Sequence, residues 1–146
     1  MPELLFVYGT LRKARDGSLH PFLRRQAEFM AYAQLPGGLY LIDTYPGAVL
    51  RPAAGQVIHG ELYRLLHPRR TLAQLDDYEE CSASFPEPRE YRRERVGLTL
   101  ADNSRHQAWA YIYQYATDKL CPLDSGDFST FLPDTHVKRR SVRRIE

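Results

Sequence analysis

A chain of 146 residues is the size of one ordinary domain, long enough to bury roughly 68% of the surface its unfolded form exposes, so it needs no metal, disulfide framework or partner in order to fold. With 43% hydrophobic and 26% charged residues, 9 Gly and 10 Pro, the composition is that of a soluble globular protein rather than a disordered, collagenous or membrane-embedded one. The 20 basic and 18 acidic side chains leave a formal charge of +2, too small for the footprint of nucleic-acid binding, and no apolar run approaches the roughly 20 residues that span a bilayer or has the flanks of a signal peptide.

Leu4-Leu5-Phe6-Val7-Tyr8 is a continuous apolar run ending at Gly9, which predicts a buried strand meeting a tight turn. Ser18 is the predicted N-cap of a helix, with Pro21 in the first turn and Leu19, Phe22, Leu23 and Ala27 on its apolar stripe. From Phe29 to Asp43, strand-like Tyr32, Leu35, Leu39 and Leu41 are interrupted by Pro36-Gly37-Gly38, a turn signal that predicts a hairpin. Tyr45-Pro46-Gly47-Ala48-Val49 reads as a turn feeding a short strand, and Val57 to Leu66 alternates as a strand with one mixed side. Thr71 to Glu79 is a predicted short helix with Leu72 and Leu75 facing inward. After a loop holding Pro86 and Pro88, Tyr91 to Leu100 and Gln107 to Tyr115 form a predicted hairpin around Asp102-Asn103-Ser104. On its second strand Trp109, Tyr111, Tyr113 and Tyr115 share a face. A short helix is expected near Ser125 to Leu132. The sum is an α+β fold with about six short strands, a small curled or barrel-like sheet and two or three short helices. The domain spans residues 1–135, and a basic tail, 136–146, carries Lys138 to Arg144.

Two stretches stand out chemically. In Val7-Tyr8-Gly9-Thr10-Leu11-Arg12 a strand ends on backbone N–H groups and a hydroxyl, which suits either a plain turn or a small nest for a carboxylate or phosphate. In Leu75-Asp76-Asp77-Tyr78-Glu79-Glu80-Cys81 four carboxylates crowd a helix C-terminus, against the macrodipole; they are either a solvated acidic end or a set kept for a purpose. Cys81 and Cys121 are far apart, and no Cys or His cluster has the spacing of a zinc site, so both are expected to be free and mostly buried thiols and no metal is expected. The 10 Tyr suit half-buried strands, a core, or the walls of a pocket for a polar small molecule.

Taken together, VYGTLR at 7–12, YPGAV at 45–49, HGELYRL at 59–65, LDDYEEC at 75–81 and YRRERV at 91–96 resemble the γ-glutamylcyclotransferase superfamily, in the branch that includes γ-glutamylamine cyclotransferase and the AIG2-like proteins. The resemblance implies a small α+β domain around a barrel-like sheet and a cofactor-free reaction on a small-molecule γ-glutamyl substrate. In that reaction the substrate's α-amine attacks its own side-chain carbonyl, giving 5-oxoproline and a released amine or peptide. It further implies that Tyr8, Gly9, Thr10 and Leu11 hold the α-carboxylate, that Glu79 is the general acid/base, and that Tyr91 hydrogen-bonds at the site. An α-amine of pKa about 8 is mostly ammonium at neutral pH, so a carboxylate in contact must take its proton. Partial burial beside Tyr78 and Tyr91 is expected to lift Glu79 towards that task.

Glu80 is the neighbour with which Glu79 is easily confused; residues adjacent on a helix point about 100° apart, and the pattern selects Glu79 and leaves Glu80 solvated. Ser84 to Pro88 departs from the family pattern as an insertion that shapes the leaving-group side, where Phe85 is a candidate wall; Tyr113 and Tyr115 lie near enough to the strand end to reach the pocket. A non-catalytic module that binds small carboxylates is the alternative function, disfavoured because such a binder has no use for an anion beside its ligand's carboxylate. Cys81 as a nucleophile and the Lys138 to Arg144 cluster as a nucleic-acid or membrane contact are weighed against an inert thiol and a solvated tail. The reading adopted is a cytoplasmic enzyme, with no nucleic-acid or membrane partner.

Overall fold

A computed structural model describes residues 3–50 and 55–136; the basic cluster from Lys138 to Arg144 lies outside the described residues. Strands β1 (Leu4–Val7), β2 (Ala27–Pro36), β3 (Gly38–Leu41), β4 (Pro46–Val49), β5 (Val57–Leu65), β6 (Tyr91–Leu100), β7 (Arg105–Tyr113) and β8 (Cys121–Leu123) are joined by helices α1 (Pro21–Gln26) and α2 (Pro68–Tyr78) and a final 3-10 turn, Phe128–Phe131. The order β1-β5-β2-β6-β7 closes on itself where Leu5 of β1 bridges Trp109 of β7, making a five-stranded barrel. β4 leaves the barrel wall beside Ile112 and carries β3 and β8 outboard. The expected α+β class with a barrel-like sheet is what the chain adopts.

The barrel explains why β1 is apolar at every position. Leu4, Phe6 and Tyr8 point into the barrel, against Ile58, Leu62, Val96 and Ile112. Leu5 and Val7 point outward, under Leu23, Leu72 and Leu75 of the two helices. A strand covered on both sides has no solvent face to mark with polar residues. β7 shows the same division with graded sizes: Ala108, Ala110 and Ile112 fill the narrow interior, while Trp109, Tyr111 and Tyr113 lie on the helix side.

Four expectations need correction. The Pro36-Gly37-Gly38 turn does not make a hairpin: β2 pairs along its length with β5, and β3 pairs with β4 and β8. Pro36 and Gly37 bend the chain out of the barrel wall, so the strands on either side find different neighbours. α1 is capped by His20, whose Nδ1 accepts from the Phe22 N–H at 3.1 Å, because Ser18 is committed to Asp16 through both its N–H and its hydroxyl; Ala27 opens β2. β8 was unforeseen, since three residues containing Pro122 carry no alternation to read. Cys81 is half-buried and Cys121 is exposed, both as free thiols.

Gly60 shows how tightly the interior is filled. A Cβ there would lie 2.4 Å from the Val7 carbonyl oxygen and 2.6 Å from the Phe6 ring, and neither can retreat inside a closed wall. Gly60→Ala is expected to cost about 2–3 kcal/mol, read as a fall in the urea midpoint with an unchanged m-value. A second prediction concerns His20, whose pKa is pushed down to about 4, first by burial and then by the charge of His136. The unfolded state binds this proton more readily, so the neutral cap stabilises the fold above pH 6.5 and its contribution is lost as the pH falls towards 4. Stability should drop by a few kcal/mol at most across that window, and His20→Asn, which keeps an acceptor at the cap without titrating there, should flatten the drop.

Candidate active site

At the end of β1 the chain turns through Tyr8-Gly9-Thr10-Leu11, closed by the Arg12 N–H donating to the Gly9 carbonyl at 3.0 Å. This turn is one wall of a cleft with about 390 Å³ of empty volume, and Pro46, Glu79, Tyr91 and Tyr111 supply others. Every site residue named from the sequence is therefore brought to one place. Gly9 is needed for close approach and not for an unusual φ: a Cβ would stand 2.9 Å from the Pro46 ring. The tyrosine hydroxyls fasten the walls together. Tyr8 donates to the Tyr111 carbonyl at 2.6 Å and accepts from the Ala48 N–H at 3.2 Å, and Tyr91 donates to the Pro46 carbonyl at 2.7 Å. Burial is the first reason that the Tyr91 phenol is pushed well above its ordinary pKa, with the charges of Tyr8 and Glu79 adding to it. In the turn itself, the Thr10 Oγ1 is shielded from solvent with no hydrogen-bond partner among the described residues. Among the described residues no main-chain acceptor meets the Thr10 or Leu11 N–H. A nest of this kind suits a carboxylate.

Glu79 reaches the cleft because α2 stops at it. The Cys81 N–H returns to the Asp76 carbonyl at 2.9 Å and the Glu80 N–H to the Asp77 carbonyl at 3.1 Å, while Glu80 takes a φ of 57°. These are the two bonds and the left-handed residue of a Schellman ending, with Glu80 where glycine is usual. The adjacent carboxylates are thus parted by this reversal and not by helical rotation: Glu79 is 6% exposed, whereas Glu80 is solvated. Glu79 therefore sits buried at the carbonyl end of α2.

Sequence reasoning missed two ionic clusters beside the cleft. In one, the Asp76 carboxylate accepts from Arg93 Nε at 2.8 Å, from Arg93 Nη2 at 3.2 Å and from the Tyr111 hydroxyl at 2.7 Å. In the other, buried Glu61 accepts from Arg12 Nε at 3.1 Å, from the Lys13 N–H at 2.9 Å and from the Tyr63 hydroxyl at 2.8 Å, and Arg12 reaches on to Asp127 at 2.8 Å. The second cluster anchors the outgoing limb of the Tyr8–Leu11 turn. The available signal was the presence of Arg12, Glu61, Asp76 and Arg93 inside the recurring motifs; their pairing across the chain left no local trace. Two expectations about the walls also change. Phe85 does not line the cleft, because Arg89 folds the loop back on itself through the Phe85 and Cys81 carbonyls. Tyr111 lines it instead of Tyr113 or Tyr115. Burial first, then the charges of Asp76 and Glu79, push the Cys81 thiol up to about 11, which keeps it protonated and a poor nucleophile at neutral pH.

Residues 5–130 match the profile of the family described as gamma-glutamyl cyclotransferase, AIG2-like. YtfP, a gamma-glutamylcyclotransferase family protein of Escherichia coli K12, is 37% identical over 131 residues, which cover 85% of this chain and 94% of that protein. The gamma-L-glutamyl-butirosin B gamma-glutamyl cyclotransferase of Niallia circulans is 30% identical over 119 residues, covering 77% of this chain and 67% of that protein. The crystal structure of an AIG2-like protein from Mus musculus shares the fold with a TM-score of 0.66 at 21% identity, over 97% of this chain and 99% of that one. By profile and by sequence, this chain belongs to the AIG2-like gamma-glutamyl cyclotransferase family.

Proposed function

We propose that the cleft cyclises a small γ-glutamyl compound to 5-oxoproline, releasing the amine or peptide joined to its side chain. One observation carries this reading: a buried carboxylate, Glu79, shares a narrow cleft with a turn whose Thr10 hydroxyl has no partner among the described residues. A γ-glutamyl group has a carboxylate and an ammonium on the same carbon, and the two features suit the two charges.

The α-carboxylate sits against the Gly9-Thr10-Leu11 backbone, which freezes a flexible chain in a folded, near-attack shape. Glu79 takes a proton from the ammonium, and the freed amine adds to the γ-carbonyl to form a tetrahedral centre. As that centre collapses, the bond to the leaving nitrogen breaks, Glu79 returns the proton to it, and the second proton on the ring nitrogen passes to the released amine, which departs as an ammonium. The sum is one C–N bond formed and one broken, with no net change in oxidation state, so the reaction needs no cofactor. Tyr91 forms a wall and holds Pro46, and through it the packing against Gly9. Members of the released-amine class differ at the open side of the cleft, so the leaving group is set by walls rather than by the acid/base.

Incubation with a panel of γ-glutamyl amines, γ-glutamyl dipeptides and glutathione, followed by assay for 5-oxoproline, tests the reading. Glu79→Gln keeps the shape and loses the proton acceptor, so turnover should fall roughly 100-fold or more while affinity for 5-oxoproline stays similar. Glu80→Gln should be close to wild type. Loss of activity in Glu80→Gln with activity retained in Glu79→Gln would assign the chemistry to the wrong neighbour, and indifference to both would sink the mechanism. Gly9→Ala forces Pro46 away from the turn, and is expected to raise KM and to cost about 1–3 kcal/mol of stability; a variant with wild-type kinetics would make Gly9 an ordinary turn residue.

A further inference from the structure

Asp76 lies one helical turn before Glu79, on the same side of α2, but its carboxylate is engaged elsewhere. Arg93 of β6 grips it with two donors, and Tyr111 of β7 adds a third on the same Oδ1 that Arg93 Nε uses. The pair is mostly covered, with the side chains of Asp76 and Arg93 19% and 25% exposed, so it is screened far less than a surface ion pair. The main chain of Asp76 is engaged as well, since its carbonyl closes the helix by accepting from the Cys81 N–H. One residue thus ties the last turn of α2 to two strands of the barrel, and Glu79 is the residue on which that turn ends.

We propose that Asp76 is a positioning residue for Glu79: ionised and fixed to the barrel through Arg93 and Tyr111, it aims the end of α2 at the cleft and sets the charge that the Glu79 carboxylate meets. The inference deepens the cyclotransferase reading and rests on it. The titratable and charged groups around Glu79 and its neighbour Cys81 are Tyr8 at the end of β1, Tyr45 before β4, Tyr91 and Arg93 from β6, Tyr111 from β7, Cys81 and Glu80 beyond the helix, Asp76 on the helix itself, and Arg89 and Glu90 just before β6. Of the two cations, Arg89 is engaged by the Phe85 and Cys81 carbonyls and by Glu87, and Arg93 is neutralised by Asp76. Both carboxylates act on the same Cys81 sulfur, so the two share one electrostatic neighbourhood. Removing the Asp76 charge leaves Arg93 uncompensated beside Cys81 and behind Tyr111, a wall of the cleft. That favours the ionised form of Glu79, makes it a weaker base and loosens its aim.

The test uses the full chain labelled with glutamate carrying 13C at Cδ, with Glu79→Gln assigning the Glu79 signal. In Asp76→Asn the Glu79 titration midpoint should move down by about half a pH unit or more. The acid limb of turnover should follow it, with kcat reduced roughly tenfold or more and KM little changed. Asp76→Glu, which restores the charge with a longer reach, should return the midpoint but only part of kcat. Tyr111→Phe, which removes one donor and no charge, should lower kcat without lowering the midpoint. A midpoint unmoved in Asp76→Asn, or a wild-type kcat in that variant, overturns the proposal. If Asp76→Asn does not fold, wild-type kcat in both Asp76→Glu and Tyr111→Phe overturns it, and reduced kcat with a retained midpoint in Asp76→Glu supports it. A wild-type chain that releases no 5-oxoproline from any substrate overturns the cyclotransferase reading instead, and the Glu79 midpoint in Asp76→Asn still decides whether Asp76 governs that carboxylate.

Discussion

Burial of both faces of β1 is the constraint on which the molecule is organised. Leu4, Phe6 and Tyr8 fill the barrel while Leu5 and Val7 seat the helices, so a one-residue slip would exchange two apolar sets of different shape and is resisted from both sides. Held in that register, β1 delivers the Tyr8–Leu11 turn to one place. There the Tyr8 hydroxyl closes on the Tyr111 carbonyl and the Ala48 N–H. The cleft is the space left between this turn, the start of β4 and the end of α2.

The polar groups near the cleft differ in how fully the protein itself satisfies them. Glu61 and Asp76 have their carboxylates saturated by arginine, hydroxyl or backbone donors. Ion pairs of this kind gain little over an apolar core of the same shape but are costly to break, which suits a role in keeping geometry rather than in adding stability. Arg12 and Asp127 extend the first pair to the 3-10 turn at Phe128–Phe131, so the segment after the Tyr8–Leu11 turn is locked to that end of the described residues. The Thr10 hydroxyl, by contrast, is covered without a partner among the described residues, a cost that proteins ordinarily avoid.

Much of the fold was legible because barrel strands leave a strong period. The alternation over Val57 to Leu65 and the paired runs around Asp102-Asn103-Ser104 are local and were read as they stand. Leu75, Asp76 and Glu79 were likewise placed on one helix end, and the structure brings Glu79, Tyr91 and the Tyr8–Leu11 turn to one cleft. Features decided by distant partners were not legible. β2 ignores the turn beside it because β5 offers a longer match, and Arg93 finds Asp76 across 17 positions. No short window of sequence contains those competitions. Two misreadings were local instead, decided by geometry that residue types do not show: His20 takes the cap because Asp16 has taken Ser18, and Arg89 folds the loop that holds Phe85 back on itself.

The five-stranded closure has a further consequence. The cleft draws its walls from positions 8 to 11, 46, 79, 91 and 111, and the bridge that shuts the barrel joins Leu5 to Trp109, near opposite ends of the domain. No contiguous fragment contains the site, and hairpins that form early from neighbouring strands, such as β6 with β7, hold only part of it. Chains organised by such long-range pairings close their loops late in folding. An intact cleft therefore requires the closed barrel, and a partly folded chain in which β1 has not joined β5 and β7 lacks the wall that the Tyr8–Leu11 turn supplies.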